Sequence, residues 1–533
     1  MSWSMVDMFA PGSTVELCNE VYISEASPHP TPQLQRAMAR GIQTMRDTMP
    51  PPFRPPLKTI HGVKLAATNP DYTWDITIEY SPDSPEGIIS SIDPNDYPNT
   101  SLTSSPLALP ALVHPHIHLD KAYIHNTSAY TNLLPSTGSF QEALTSTSAA
   151  KASFTESDLL QRGEWLLAES VASGVTALRA FVEVDHTVRH ACLDAGLALK
   201  RKWQEACEIQ LVCFAQDPVF STTHADENRR LIEDAIRIHG PEELAVLGTT
   251  PYVESNTDAS KRNIEWAVEM ALQYNCHLDF HLDYNLSHPE DEPEPLVWNV
   301  LRTLRAKGWT TRATDKRVML GHCTRLSLFT EEDWSHLAHE IHDNDLPVSF
   351  VGLPTSDLYM AAAPDNAAKL NPRGTLPIPS MIKNHGLDAV VGVNNVGNAF
   401  TPWGSADPLS LACLGVGIYQ AGTVGDAELL YECVSTRARA AIGLSSSSPS
   451  STSSNPESSL GVCLKRGNSA DLLLLYDVDD TGLLNPGATR ARKTVAEVVW
   501  DPPARASRAV VSRGRVKLPA LSGSYAAAFR FVE

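Results

Sequence analysis

The stretch Leu112-Val-His-Pro-His-Ile-His-Leu-Asp-Lys121 decides how the rest of the chain is read. An apolar run ends there in a cluster of imidazoles, a carboxylate and an amine. His116 and His118 lie two residues apart, so on an extended backbone both side chains face the same way, which suits two nitrogen ligands on one divalent ion. In a chain with 18 histidines a lone His-x-His is more simply a strand end that happens to carry them. This motif has company.

Around it, from residue 107 to 421, short apolar runs alternate with amphipathic segments. The runs cover residues 107–113, 175–184, 209–215, 244–250, 277–282, 318–322, 348–353 and 389–393, and helical periodicity fills 156–173, 189–205, 261–274 and 331–342. This alternation predicts an α/β fold, a (β/α)8 TIM barrel over residues 107–443, in preference to a doubly wound sheet. His116, His118, Gln216, His281, His322 and Asn394 all fall at or just past the C-terminal ends of their runs. In a barrel those ends meet at one mouth.

The flanks read differently. Residues 1–57 form an N-terminal extension with a helical stretch at 33–48 that Pro50-Pro51-Pro52 ends. Alternating patterns at 74–80 and 87–92, and again at 470–476, 495–499 and 509–516, predict strands. They assemble into a small β-sandwich domain built from both ends of the chain, residues 58–106 and 461–520. The serine-rich segment 444–460 cannot bury enough apolar surface to order itself and is expected to be a mobile loop.

The 533 residues carry 42 Lys+Arg against 62 Asp+Glu, a formal net charge of −20. That balance repels phosphate backbones and anionic lipids, so nucleic acid and membrane are not expected partners. The N-terminus shows no basic region followed by an apolar run, and no stretch approaches the ~20 apolar residues of a membrane span. A soluble, cytoplasmic protein with a small-molecule substrate is expected; whether it forms a homo-oligomer is left open. The nine cysteines make no Cys-x-x-Cys pair and are read as free, with Cys213, Cys276 and Cys323 as buried apolar side chains.

Five separated segments resemble the amidohydrolase superfamily, within it the cytosine deaminase and N-isopropylammelide hydrolase group. They are Pro115-His-Ile-His-Leu-Asp-Lys121, Phe214-Ala-Gln216, Leu278-Asp-Phe-His281, Gly321-His322 and Gly392-Val-Asn-Asn395. Ala470-Asp-Leu-Leu-Leu and Val511-Ser-Arg-Gly-Arg515 are similar to that superfamily's closing β-sandwich. The resemblance implies that His116, His118 and His281 ligate one divalent metal ion, zinc or iron(II). It implies that His322 orients or polarises the attacking water and the scissile group, and that Gln216 binds substrate. The fourth run offers no lysine to bridge a second ion. A cation held there lowers the pKa of water toward ~7 and polarises a carbonyl or amidine carbon, so hydrolysis of a C–N bond is the implied reaction.

Two departures stand out. The eighth run ends in Asn394-Asn395 where the deaminases have Asp-Asp, and an amide cannot accept a proton at neutral pH. His281 is followed by Leu-Asp-Tyr284 where they have Cys-Asp-Glu, which disfavours cytosine deamination. Asn394 and Asn395 therefore stand as metal-proximal and substrate-binding candidates, and Tyr284 as a candidate acid. Asp357, Asp283 and Glu183 are alternative carboxylates for the metal, although Glu183 reads more simply as one half of a buried ion pair with Arg179. Lys121 pairs with Asp120 or binds a substrate oxygen. His114 and His125 read as rim or supporting residues, and His277 as structural. Beside a C–N hydrolase, a ligand-binding homologue without hydrolysis and a lyase or isomerase using the metal as Lewis acid fit the same residues.

Overall fold

The computed structural model describes residues 55–69, 71–82, 86–95, 105–286, 294–361, 373–444, 461–476, 490, 492–517 and 529–532. The expected helix at 33–48 and nearly all of the serine-rich segment lie outside them.

Eight parallel strands form the barrel, each hydrogen-bonded to the next in chain order. Counting four strands before them, they are β5 (Leu112–His118), β6 (Val175–Glu183), β7 (Glu208–Ala215), β8 (Val246–Thr249), β9 (His277–Leu282), β10 (Val318–His322), β11 (Val348–Gly352) and β12 (Ala389–Val391). Nearly every residue in them is buried, as strands covered on both faces require. Closure comes just beyond β12: Asn394 N–H donates to the His116 carbonyl at 3.1 Å, and His118 N–H donates to the Asn394 carbonyl at 2.8 Å. Periodicity cannot see that contact, which makes the sheet a barrel.

Strand alternation sorts the interior into layers. Nearest the N-terminal end, Arg179 and Gln210 both donate to the Ile442 carbonyl at 3.1 Å, so the segment after helix Thr436–Ala441 plugs the floor. Phe181, Val212, Phe214 and Val246 pack above it. The polar side chains sit on top.

The small domain contains β1 (Leu57–Leu65), β2 (Trp74–Tyr80), β3 (Gly87–Pro94), β4 (Leu107–Pro110), β13 (Leu472–Leu475), β14 (Arg508–Ser512), β15 (Arg515–Lys517) and β16 (Phe529–Phe531). β1 pairs with β16 through its first half, with β2 across its middle to Val63, and with β4 through the end of its second half. Between the halves the register shifts near Gly62, whose φ of 68° a side chain would resist. The bend folds the sheet over one core that includes Ile60, Ile76, Leu472 and Val511. Arg508 clamps this domain to the barrel, with Nη1 and Nη2 donating to Asp407 at 3.0 and 2.9 Å and Nη1 also to the Ser173 carbonyl at 2.7 Å.

Two expected strands are corrected. The run at 107–113 is divided: Leu107–Pro110 belongs to the small sheet, against β1 and β13, and the first barrel strand starts at Leu112. Both pieces are buried, so the apolar pattern runs through the junction without a break. Residues 495–499, read as a strand from their valines, form the helix Val495–Trp500, whose Thr494 hydroxyl caps Glu497 N–H. Burial against neighbouring helices overrides the β-branched preference.

Candidate active site

At the C-terminal mouth, β5 supplies His116 and His118, β9 supplies His281 and β10 supplies His322. His116 Nε2 lies 3.0 Å from His281 Nε2. One ring nitrogen from each of His116, His118 and His281 lies within 4.8 Å of the others. Nitrogens ~2.0–2.1 Å from a shared ion fall at such separations. Burial holds all three imidazoles well below their ordinary pKa, helped by His118 at His116, by Lys121 at His118 and by His116 at His281. They are neutral, the form that ligates. A divalent ion fits this donor set.

Asn394 follows β12 with φ 65°. Its Nδ2 donates to Ser356 Oγ at 2.8 Å, while its buried Oδ1 has no hydrogen-bond partner. Ser356 Oγ in turn lies 2.6 Å from Thr401 Oγ1. The side-chain Oδ1 of Asn395 accepts from Asn398 Nδ2 at 2.7 Å.

His322 is held by a carboxylate: its Nδ1 lies 2.7 Å from Asp357 Oδ1, and Asp357 Oδ2 accepts from Leu353 N–H at 3.0 Å and Thr375 Oγ1 at 2.8 Å. Nε2 is the ring nitrogen left for the cavity. The Tyr284 ring stands 4.2 Å from the His322 ring. Burial, then Asp357 and Tyr252, push the Tyr284 phenol well above its usual range, so it stays protonated.

Lys121 Nζ donates to Gln216 Oε1 at 2.8 Å and pairs closely with Glu183. Glu183 also meets Lys151 at 2.6 Å. Burial raises the Glu183 pKa, but Lys121 and Lys151 outweigh it and bring it down to about 2. The expected Glu183–Arg179 pair is absent; four residues apart on one strand they stand ~13 Å apart, and Arg179 pairs with Asp279 at 3.2 Å instead. Asp120 is not the partner of Lys121 but accepts Glu183 N–H at 2.8 Å. Burial, then Glu183, push Asp120 up to about 6. Asp283 caps a helix, accepting from Leu296 and Val297 N–H. His114 points away from the mouth, to Ser170 at 3.2 Å, and His277 accepts Arg317 N–H at 2.9 Å.

A narrow cleft opens over the imidazoles, with about 20 Å³ of space for water, well under the ~300–1,000 Å³ of typical small-molecule sites. Lys121, Gln216, Tyr284, His322, Asn394 and Asn395 all line it, with His118 and His281. So do Tyr252, Ser356 and Phe400, which sequence reasoning missed. Tyr252 and Ser356 follow β8 and β11 by only a few residues, so strand-end position was a usable signal for them. Among the described residues that line it, none is a carboxylate. Beside the mouth, Asp185, His186 and Asp217 also converge, but Lys151 Nζ already sits 2.6 Å from Asp185 and 3.3 Å from Asp217.

No family model matches the chain, and no curated protein matches its sequence. Solved structures do. 5-Methylcytosine deaminase from Klebsiella pneumoniae, liganded with 5-fluorocytosine, superposes with a TM-score of 0.65 at 20% identity, covering 89% of this chain and 98% of that one. N-isopropylammelide isopropylaminohydrolase from Burkholderia multivorans gives 0.61 at 21%, covering 86% and 97%. The chain has the amidohydrolase fold. A zinc-bound adenosine deaminase from Xanthomonas campestris shares this fold, with a TM-score of 0.54 at 14% identity over 88% of this chain and 96% of that one. Among the described residues of this amidohydrolase-fold chain, no helix is long and apolar enough to cross a membrane.

Proposed function

We propose that this chain is a metal-dependent hydrolase of a C–N bond, other than a peptide bond, in a small cyclic amide or amidine. The observation that carries the reading is the convergence of His116, His118 and His281 beneath a polar cleft at the barrel mouth. The neighbours act on small molecules of that kind, which supports it. Zinc or iron(II), when bound by these imidazoles, supplies a Lewis acid that activates water and polarises the scissile carbon. Lys121, already bonded to Gln216, offers its remaining N–H to a substrate oxygen, and Asn395 offers its amide beside it. His322, fixed through Nδ1 by Asp357, presents Nε2 to take the proton of the attacking water, the task the missing eighth-strand carboxylate leaves open. Tyr284 holds its phenolic proton for the departing nitrogen.

Protein loaded with zinc or with iron(II) and offered a panel of cyclic amides, imides and amidines tests this. Turnover that disappears in His281→Ala supports the reading. Absence of turnover across the panel with either metal sinks it. The all-neutral and cationic lining favours one second reading, a lyase or isomerase that needs no water. Incorporation of ¹⁸O from labelled solvent into product excludes that reading. A third, ligand binding without hydrolysis, is separated by Asn394→Asp: activity gained there marks a disabled hydrolase, and activity lost marks a working asparagine.

A further inference from the structure

A carboxylate at the end of the eighth strand needs no orienting device, because its two oxygens are equivalent. An amide does. Turned one way, Asn394 presents a carbonyl oxygen to the cleft it lines with His118 and His281; turned the other, it presents two N–H donors, and no cation accepts those. The structure shows what discriminates. Asn394 Nδ2 donates to Ser356 Oγ at 2.8 Å, and Ser356 Oγ is 2.6 Å from Thr401 Oγ1. Ser356 and Thr401 are both buried, and Asn394 Oδ1 is buried with no hydrogen-bond partner. Either hydroxyl of that pair can be the donor; when Ser356 donates to Thr401 it has only lone pairs left for Asn394, so it accepts the amide N–H and cannot hold the amide oxygen.

We propose that Ser356 and Thr401 are positioning residues that lock the Asn394 amide with Oδ1 toward His116, His118 and His281, making that oxygen the fourth donor to the ion. The inference rests on the metal-site reading above. It also explains how asparagine works where a carboxylate is expected, by orientation in place of charge.

The experiment measures zinc affinity of the purified full chain by competition with a chromophoric chelator, together with the visible spectrum of cobalt(II)-loaded protein. Ser356→Ala frees the amide and is expected to weaken zinc about 10–100-fold, the usual cost of losing a ligand's support, and to alter the cobalt spectrum. Thr401→Val, which leaves the serine proton free to hold the turned amide, is expected to do the same. Ser356→Thr keeps a hydroxyl and is expected to retain affinity. The decisive comparison places Ser356→Ala in an Asn394→Asp background, where two equivalent oxygens make the serine dispensable and affinity is expected to hold. An equal loss in both backgrounds, at unchanged melting temperature, overturns the proposal, as does zinc binding that ignores Asn394 and Ser356 altogether. Wild-type protein that binds no zinc or cobalt sinks the metal-site reading itself, and this proposal with it.

Discussion

His322 sits among the rings of His116, His281 and Tyr284 and against a carboxylate, and its behaviour depends on the carboxylate. With Asp357 accepting at 2.7 Å, the imidazole carries its proton on Nδ1 and leaves Nε2 free for the cavity. Asp357→Asn can place an N–H against Nδ1 and so favour the wrong tautomer. We expect it to lower kcat by about 10²–10⁴-fold, the range for a lost proton acceptor, while metal content stays at the wild-type level. Elemental analysis alongside kinetics checks both halves, and equal loss of metal would assign Asp357 a structural role. The four histidines were legible before any coordinates because imidazoles are scarce and sit at run ends. Asp357 was named only as a substitute metal ligand, since nothing local to Leu353-Pro-Thr-Ser-Asp357 reveals that one helical turn after β11 points back at β10.

At the level of elements, the helix Phe140–Lys151 lies outside the stretches where the sequence shows helical periodicity. Its last residue inserts an ammonium between Glu183, Asp185 and Asp217 at the ends of β6 and β7, while Phe140 at its other end lies 5.7 Å from the Tyr284 ring. Sequence spacing does not reveal an anchor whose acceptors come from other strands. Its strength is pH-dependent. Glu183 is held at about 2, below its ordinary value of 4.5, so its contribution is complete above 4.5 and disappears as pH falls toward about 2. Urea unfolding across that window is expected to show stability falling with acid, and the fall to be shallower in Glu183→Gln. The barrel strands, by contrast, were readable to within a few residues, because two-sided burial leaves continuous apolar runs. The run across Leu107–Pro110 and Leu112–His118 misled for the same reason: two burials in different sheets look like one.

For the whole molecule, the joint between barrel and small sheet combines apolar packing, with Leu109, Leu473 and Val510 part of the barrel's own core, with one buried ion pair. Arg508 and Asp407 are almost wholly buried and bonded twice. Arg508→Ala would leave a buried carboxylate without its cation, and a loss of about 3–5 kcal/mol in chemical denaturation is expected. Asp407→Asn with Arg508→Met should recover part of it, which a cycle of single and double variants measures. That pair joins residues 101 apart in the chain, beyond anything a local pattern encodes.

The way β1 and β16 meet has a mechanical consequence. They run antiparallel with Leu57 opposite Phe531 and Ile60 opposite Phe529, so their outward-leading ends lie side by side. Traction applied there in opposite directions would open the ladder like a zip, one bond after another, instead of shearing the rungs together. In an optical trap β16 should peel away at low force as a separate early event, with the barrel and its histidines yielding only later.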